Sequence, residues 1–236
     1  MSRRRDSCLE YDPFLQQINH HQLSVGNKGK LVMSQNYDQK QILLLAQETV
    51  QRESLVVDAL ILQLGESIVD ASHLMLNCNG HILVSGSGTS NAVATRFAHL
   101  LSCCGTPALF IHPGDSQHGL SGAVTEKDLL FAISKGGETV EVNYLARVAI
   151  SRGAKLISLT EKSESTLAKL SDVVLCFKAP PDSDPYGMIA TGSSLFNSAL
   201  CDALCVVLLN LRGYSLEQFG KTHPGGAVGQ KLKEIL

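Results

Sequence analysis

The sequence predicts a three-layer α/β protein, a doubly wound five-stranded parallel sheet with extra helices ahead of it. Three observations predict it. After Asn79-Gly80, short and nearly continuous apolar runs recur about every 20–25 residues, which leaves room for a crossover helix between strands buried on both faces. Before them, apolar residues recur at helical spacing. The composition adds 20 glycines with only 5% aromatics and no Trp, which describes an aliphatic core with many close backbone approaches.

Residues 1–36 open on Met-Ser-Arg-Arg-Arg, contain Gly26 and Gly29 and show no sustained apolar period, so they read as a flexible tail. The protein domain is then 37–236. From Asp38 to Cys78 the spacing of Ile42, Leu45, Val50, Leu55, Val56, Leu60, Ile61 and Leu64 predicts amphipathic helices, with Gly65 separating two of them. The predicted strands are His81–Ser85, Ala108–Ile111, Leu129–Ile133, Lys155–Leu159 and Val173–Phe177. Ligands of such sheets bind beyond the carboxyl ends of the strands, which directs attention to the segments after Ser85, Ile111, Ile133, Leu159 and Phe177.

Charge and sulfur restrict the function class. Apolar residues make up 44% and charged residues 18%, with 20 Lys+Arg against 22 Asp+Glu, which fits neither a disordered acidic chain nor a nucleic-acid wrapper. No nucleic-acid partner is expected. The seven cysteines (Cys8, Cys78, Cys103, Cys104, Cys176, Cys201 and Cys205) form no C-x-x-C pair, and with no signal peptide evident they read as small buried hydrophobes of a reduced, cytoplasmic protein. The longest apolar stretch, about Cys201 to Leu211, carries Asp202 and Asn210 and falls short of the ~20 residues of a membrane span, so no membrane is expected.

Two loops carry the chemistry. The first strand runs into Gly86-Ser-Gly-Thr-Ser-Asn91 and a helix, so free N–H groups and the hydroxyls of Ser87, Thr89 and Ser90 suit a phosphomonoester. A plain strand-to-helix turn is the simpler reading. A nicotinamide dinucleotide is disfavoured, because Asn91 stands at the third glycine and no acidic residue follows the second strand. The third strand runs into Ser134-Lys-Gly-Gly-Glu-Thr139, the same device with an ammonium at Lys135 added. Two such loops after neighbouring strands converge on one anion.

Ile133-Ser-Lys-Gly-Gly-Glu-Thr139 resembles the Ser-x-Ser-Gly-Glu-Thr loop of the sugar isomerase (SIS) domain family, a flavodoxin-like fold, and Gly88-Thr-Ser90 resembles its first phosphate-loop segment. Gly105-Thr-Pro107, His112-Pro-Gly-Asp-Ser-Gln-His-Gly119, Asp202-Ala-Leu204 and His223-Pro-Gly-Gly-Ala-Val-Gly229 are similar to the arabinose-5-phosphate isomerase branch. That branch commonly continues into paired CBS domains, and a chain ending at Leu236 is expected to be the SIS domain alone.

The resemblance implies interconversion of D-arabinose 5-phosphate and D-ribulose 5-phosphate through an enediol, with no organic cofactor and with assembly into a homotetramer. Carried across residue by residue, it makes Glu141, Asp182 and His223 catalytic, with Asp184 an alternative to Asp182. The implied substrate contacts are Gly88, Thr89, Ser90, Gly105, Thr106, His112, His118, Ser134, Lys135, Gly136, Thr139 and Lys178. His112 is also implied as a ligand for a divalent metal such as zinc; a strand-end histidine bonded to backbone is the alternative. Glu138, beside a phosphate, is expected to point away and serve structure. Thr89 stands where the branch has a lysine, Asp182 where it has Glu and Leu120 where it has Asp. These departures motivate a rival function, a phosphosugar-binding sensor that does not catalyse, and make Lys135 the expected replacement for the lost cation.

Overall fold

The computed structural model describes residues 37–182, 184 and 186–236; the segment read as a tail, with Arg3 to Arg5 and Cys8, lies outside the described residues. Five parallel strands, β1 (Ile82–Gly86), β2 (Ala108–Phe110), β3 (Leu129–Ile133), β4 (Lys155–Thr160) and β5 (Val173–Cys176), pair in the order β2-β1-β3-β4-β5. Register is continuous across the centre, with Leu83 opposite both Leu109 and Leu130. Every strand lies within two residues of its expected position.

Alternation along the strands sorts the core into two layers. Ile82, Val84, Leu129, Phe131, Ile133, Ile157 and Leu159 face one side, where they meet α1 (Gln39–Ile61), α2 (Glu66–Leu76), α3 (Thr89–Cys103) and α6 (Thr191–Arg212). Leu83, Leu130, Ala132 and Leu156 face the other, under α4 (Val140–Ser151) and α5 (Thr166–Leu170). Phe97 and Phe131 meet edge to face at 4.9 Å in the first layer, and burying each ring is worth about 1.5–3 kcal/mol. Two short helices, α7 (Leu216–Thr222) and α8 (Gly226–Ile235), end the chain.

Helix starts follow from local chemistry. Asp38 and Gln41 form a reciprocal capping box at α1, at 2.8 and 2.9 Å. Gly65 opens α2 as expected. α1 buries Val56 and Leu60 but exposes Ile42, Leu43, Leu44 and Leu45, a contiguous apolar run uncovered in the single chain.

Two expectations need correction. α6 spans 22 residues and by length and composition is long and apolar enough to cross a membrane. The apolar stretch read from the sequence is shorter because Thr191–Leu200, with its interspersed polar residues, does not join it by pattern alone. In the fold Phe196, Leu200, Cys201, Leu204, Cys205 and Leu208 of this helix belong to the core. Cysteine is the second case. Cys78, Cys103, Cys104, Cys201 and Cys205 are free, and burial pushes the Cys201 and Cys205 thiols well up, whereas Cys176 is disulfide-bonded.

Candidate active site

The strand order reverses between β1 and β3, and this is where the two loops meet. Gly88 starts α3 and Thr139 starts α4 without a side-chain capping bond, so both helices turn uncapped N-termini to the carboxyl edge of the sheet. One hydrogen bond joins the loops: Ser87 Oγ donates to Glu141 Oε1 at 2.6 Å. That bond, with smaller help from backbone N–H and from His112, holds the Glu141 carboxyl below the usual range.

Inside the second loop Ser134 Oγ and Thr139 Oγ1 lie 2.9 Å apart, and Ser134 Oγ accepts from Gly137 N at 3.1 Å. Gly137 has φ +67° and Gly136 is exposed beside it. Glu138 leaves the loop as expected, accepting from Thr166 N at 2.7 Å at the start of α5.

Beyond the switch point, Lys135 reaches toward β5. Its Nζ lies 3.2 Å from Asp182 Oδ2 and 3.9 Å from Glu161 Oε1. Asp182 Oδ1 accepts from Ser193 N at 2.7 Å, so this carboxylate caps α6, whose own N-cap, Ala190, offers no side-chain bond. Both Asp182 oxygens are engaged and its side chain is 2% exposed. Its alternative, Asp184, is also engaged. Although burial opposes its charge, amides of Tyr186, Ile189 and Met188 hold its carboxyl low. Lys178 is exposed at the end of β5, with its backbone N–H and carbonyl fixed by the Gln63 amide at 2.9 and 3.0 Å.

On the other flank, His112 and His118 are exposed in the segment after β2. His112 Nδ1 accepts from Asp115 N at 3.4 Å and lies 3.8 Å from Asp115 Oδ2, while its carbonyl accepts from the Ser116 hydroxyl at 3.0 Å. Among the described residues no three His, Cys, Asp or Glu side chains gather in a way that would hold a metal. Near His112 the described residues bring Asp115 within 3.8 Å and gather no larger set of donors.

Three expected site residues are not brought to these loops. Gly105 and Thr106 follow α3, at the amino edge of the sheet: Thr106 is buried and accepts from Arg212 Nε at 2.8 Å, and Gly105 (φ +74°) lies against the Tyr214 ring. His223, stacked on Phe219 at 3.9 Å, has Nε2 3.4 Å from Cys103 Sγ, at the last residue of α3. Thr89 is the first residue of α3, so helix rise puts His223 about 21 Å down the axis from the first loop. Gly105, Thr106 and His223 thus form a second group, linked through Tyr214, whose hydroxyl lies 3.4 Å from Thr222 Oγ1, next to His223. Sequence reasoning misses Glu161, although it directly follows β4 at the carboxyl edge where ligands of such sheets bind. Burial pushes its carboxyl up against the pull of Lys135 and the Ala179 amide.

Two hydroxyl- and glycine-lined helix starts meeting at the switch point of a parallel sheet define an α/β domain for a small anionic ligand. The comparisons agree with that class. The SIS domain model matches residues 75–207, and the chain belongs to the SIS domain family. It is 37% identical over 200 residues to arabinose 5-phosphate isomerase KdsD of Pseudomonas aeruginosa, covering 85% of this chain and 60% of that protein. The Escherichia coli K12 protein of the same name is 39% identical over 162 residues, 69% of this chain and 49% of that one. The chain thus spans about half to three-fifths of these curated relatives. Among solved structures, the c3406 protein of Escherichia coli CFT073, solved as a ligand complex, superposes with TM-score 0.77 at 26% identity, over 80% of this chain and 100% of that one.

Proposed function

We propose that this protein is a phosphosugar aldose–ketose isomerase acting on D-arabinose 5-phosphate and D-ribulose 5-phosphate through an enediol. The observation that carries the reading is the Ser87–Glu141 bond, which sets a carboxylate between two anion-binding loops. The phosphate is held by Ser87 to Ser90 and by Ser134 to Thr139. Glu141 then takes the proton from the carbon next to the carbonyl and returns it to the former carbonyl carbon, while the hydroxyl proton of the first carbon passes to the former carbonyl oxygen through the enediol. The names of the curated relatives support arabinose 5-phosphate as one member of the pair. The chemistry calls for no organic cofactor.

The second group of motif residues supports a shared site. His223, Gly105 and Thr106 lie at the far end of α3 and serve the loops of a neighbouring copy in a homotetramer, with the uncovered Ile42–Leu45 run as part of the contact. Mixing Glu141→Gln with His223→Ala protein tests this. Each variant alone loses about 10²-fold or more in turnover, and subunit exchange restores up to about a quarter of wild-type activity if the site spans two copies. No recovery on mixing would place each site within one protomer.

The rival reading is a sensor that binds phosphosugar without turnover, favoured by the engagement of both Asp182 oxygens. Incubation with ribulose 5-phosphate in deuterated water separates the two. An isomerase yields arabinose 5-phosphate carrying deuterium at C2, whereas a sensor binds without product or exchange.

A further inference from the structure

Lys135, Glu161 and Asp182 form a cluster of one ammonium and two carboxylates across the ends of β3, β4 and β5. The two carboxyl groups are unequally supported. Asp182 has the Ser193 amide at 2.7 Å and the positive end of the 22-residue α6 besides Lys135. Glu161 has, besides Lys135, the Ala179 amide and the more distant charge of Lys178, and burial already works against its ionised form. The groups facing Glu161 are therefore Lys135 from the loop after β3, and Lys178, Ala179 and Asp182 from the segment after β5. The Glu161 side chain is 18% exposed, while that of Lys135 is 47% exposed. Lys135 sits on a flexible four-carbon stem within the loop proposed to hold the phosphate, so its ammonium can swing from the carboxylates to an anion on that loop without backbone movement.

We infer that Glu161 is a positioning residue which holds the Lys135 ammonium beside Asp182 in the free protein and takes up a proton when the substrate phosphate draws that ammonium away. This rests on the phosphosugar reading above. When Lys135 leaves, Asp182 keeps its amide and helix support, and Glu161 loses its nearest cation in a half-buried place. The proton comes from the buffer and adds to the Glu161 carboxylate, leaving a neutral acid. A dianionic phosphate therefore enters beside one negative charge instead of two.

The test is calorimetric titration with arabinose 5-phosphate near pH 6.5, in buffers of different ionisation enthalpy, for wild type, Glu161→Gln and Lys135→Met. The phosphate's own second ionisation near pH 6 contributes as well, so the Glu161 proton is read from wild type against Glu161→Gln, which keeps Lys135. Wild type is expected to take up on the order of 0.5 proton more per site than either variant. Lys135→Met, which removes the moving cation, is also expected to bind about tenfold more weakly. Equal proton counts in wild type and Glu161→Gln, with both binding, would overturn the inference and leave the phosphosugar reading intact. Absence of binding by the wild type would overturn both.

Discussion

Glu141→Gln is expected to lower kcat/KM for arabinose 5-phosphate by about 10³–10⁴-fold while leaving sugar-phosphate affinity within a few-fold of wild type. Gln keeps the shape of the side chain and an oxygen that accepts from Ser87, so the bridge between the loops survives and only the proton acceptor is lost. Steady-state kinetics beside calorimetric binding separate the two quantities. The pH profile adds a sign. The Ser87 hydroxyl holds the Glu141 carboxyl low, so in the free enzyme the base form persists above that lowered value and activity falls only as pH drops through it. Ser87→Ala removes the largest cause of the lowering, and the acid limb of kcat/KM moves up toward the ordinary Glu range near pH 4.3. An unchanged limb would mean that another group sets it.

Gly137→Ala has the largest expected effect on stability. Gly137 has φ +67°, and an added Cβ would meet the hydroxyl and Cβ of Ser165, well inside contact distance. Ser165 has little room to retreat: it is buried, and its hydroxyl caps α5 while donating to Lys162 O at 2.7 Å. Backbone strain and overpacking together cost about 2–4 kcal/mol, or about 5–15 °C in melting temperature for a chain of this size. The carbonyl of Gly137 also accepts from Asn143 Nδ2 and Leu167 N, so displacement disturbs the loop that carries Ser134 and Thr139. Gly136→Ala is the internal control. Nothing lies within 4 Å of its Cβ position and its φ is not positive, so its melting temperature stays close to wild type.

The sheet is legible in the sequence because strands buried on both faces leave unbroken apolar runs, and Leu129–Ile133 falls where the pattern puts it. The two loops are legible for a similar reason, since glycine and hydroxyl residues cluster just after a strand. Pairings over long separations are not. Pattern assigns Lys135 to the phosphate because both lie on one loop, but its ammonium meets Asp182, 47 residues on, a contact that local pattern does not encode. Gly105 and Thr106 match by identity, yet their place after α3 returns them to the amino edge, which the strand–helix–strand grammar already implies. Glu161 carries a signal of its own, its position one residue beyond β4.

The packing of α1 on the N-terminal end of α6 bears on how the chain is made. Val56 sits against Gly192, so a helix synthesised early waits for one synthesised much later. The sheet has no such delay, because each of its strands joins a neighbour already made. Roughly 140 residues separate the two partners, on the order of ten seconds of synthesis. Throughout that interval Val56 and Leu60 have nothing of α6 to cover them, and with the Ile42–Leu45 run they leave α1 an exposed apolar element of the growing chain. The nascent protein is then open to chaperones or to aggregation at this helix, even as the two loops at the switch point take shape.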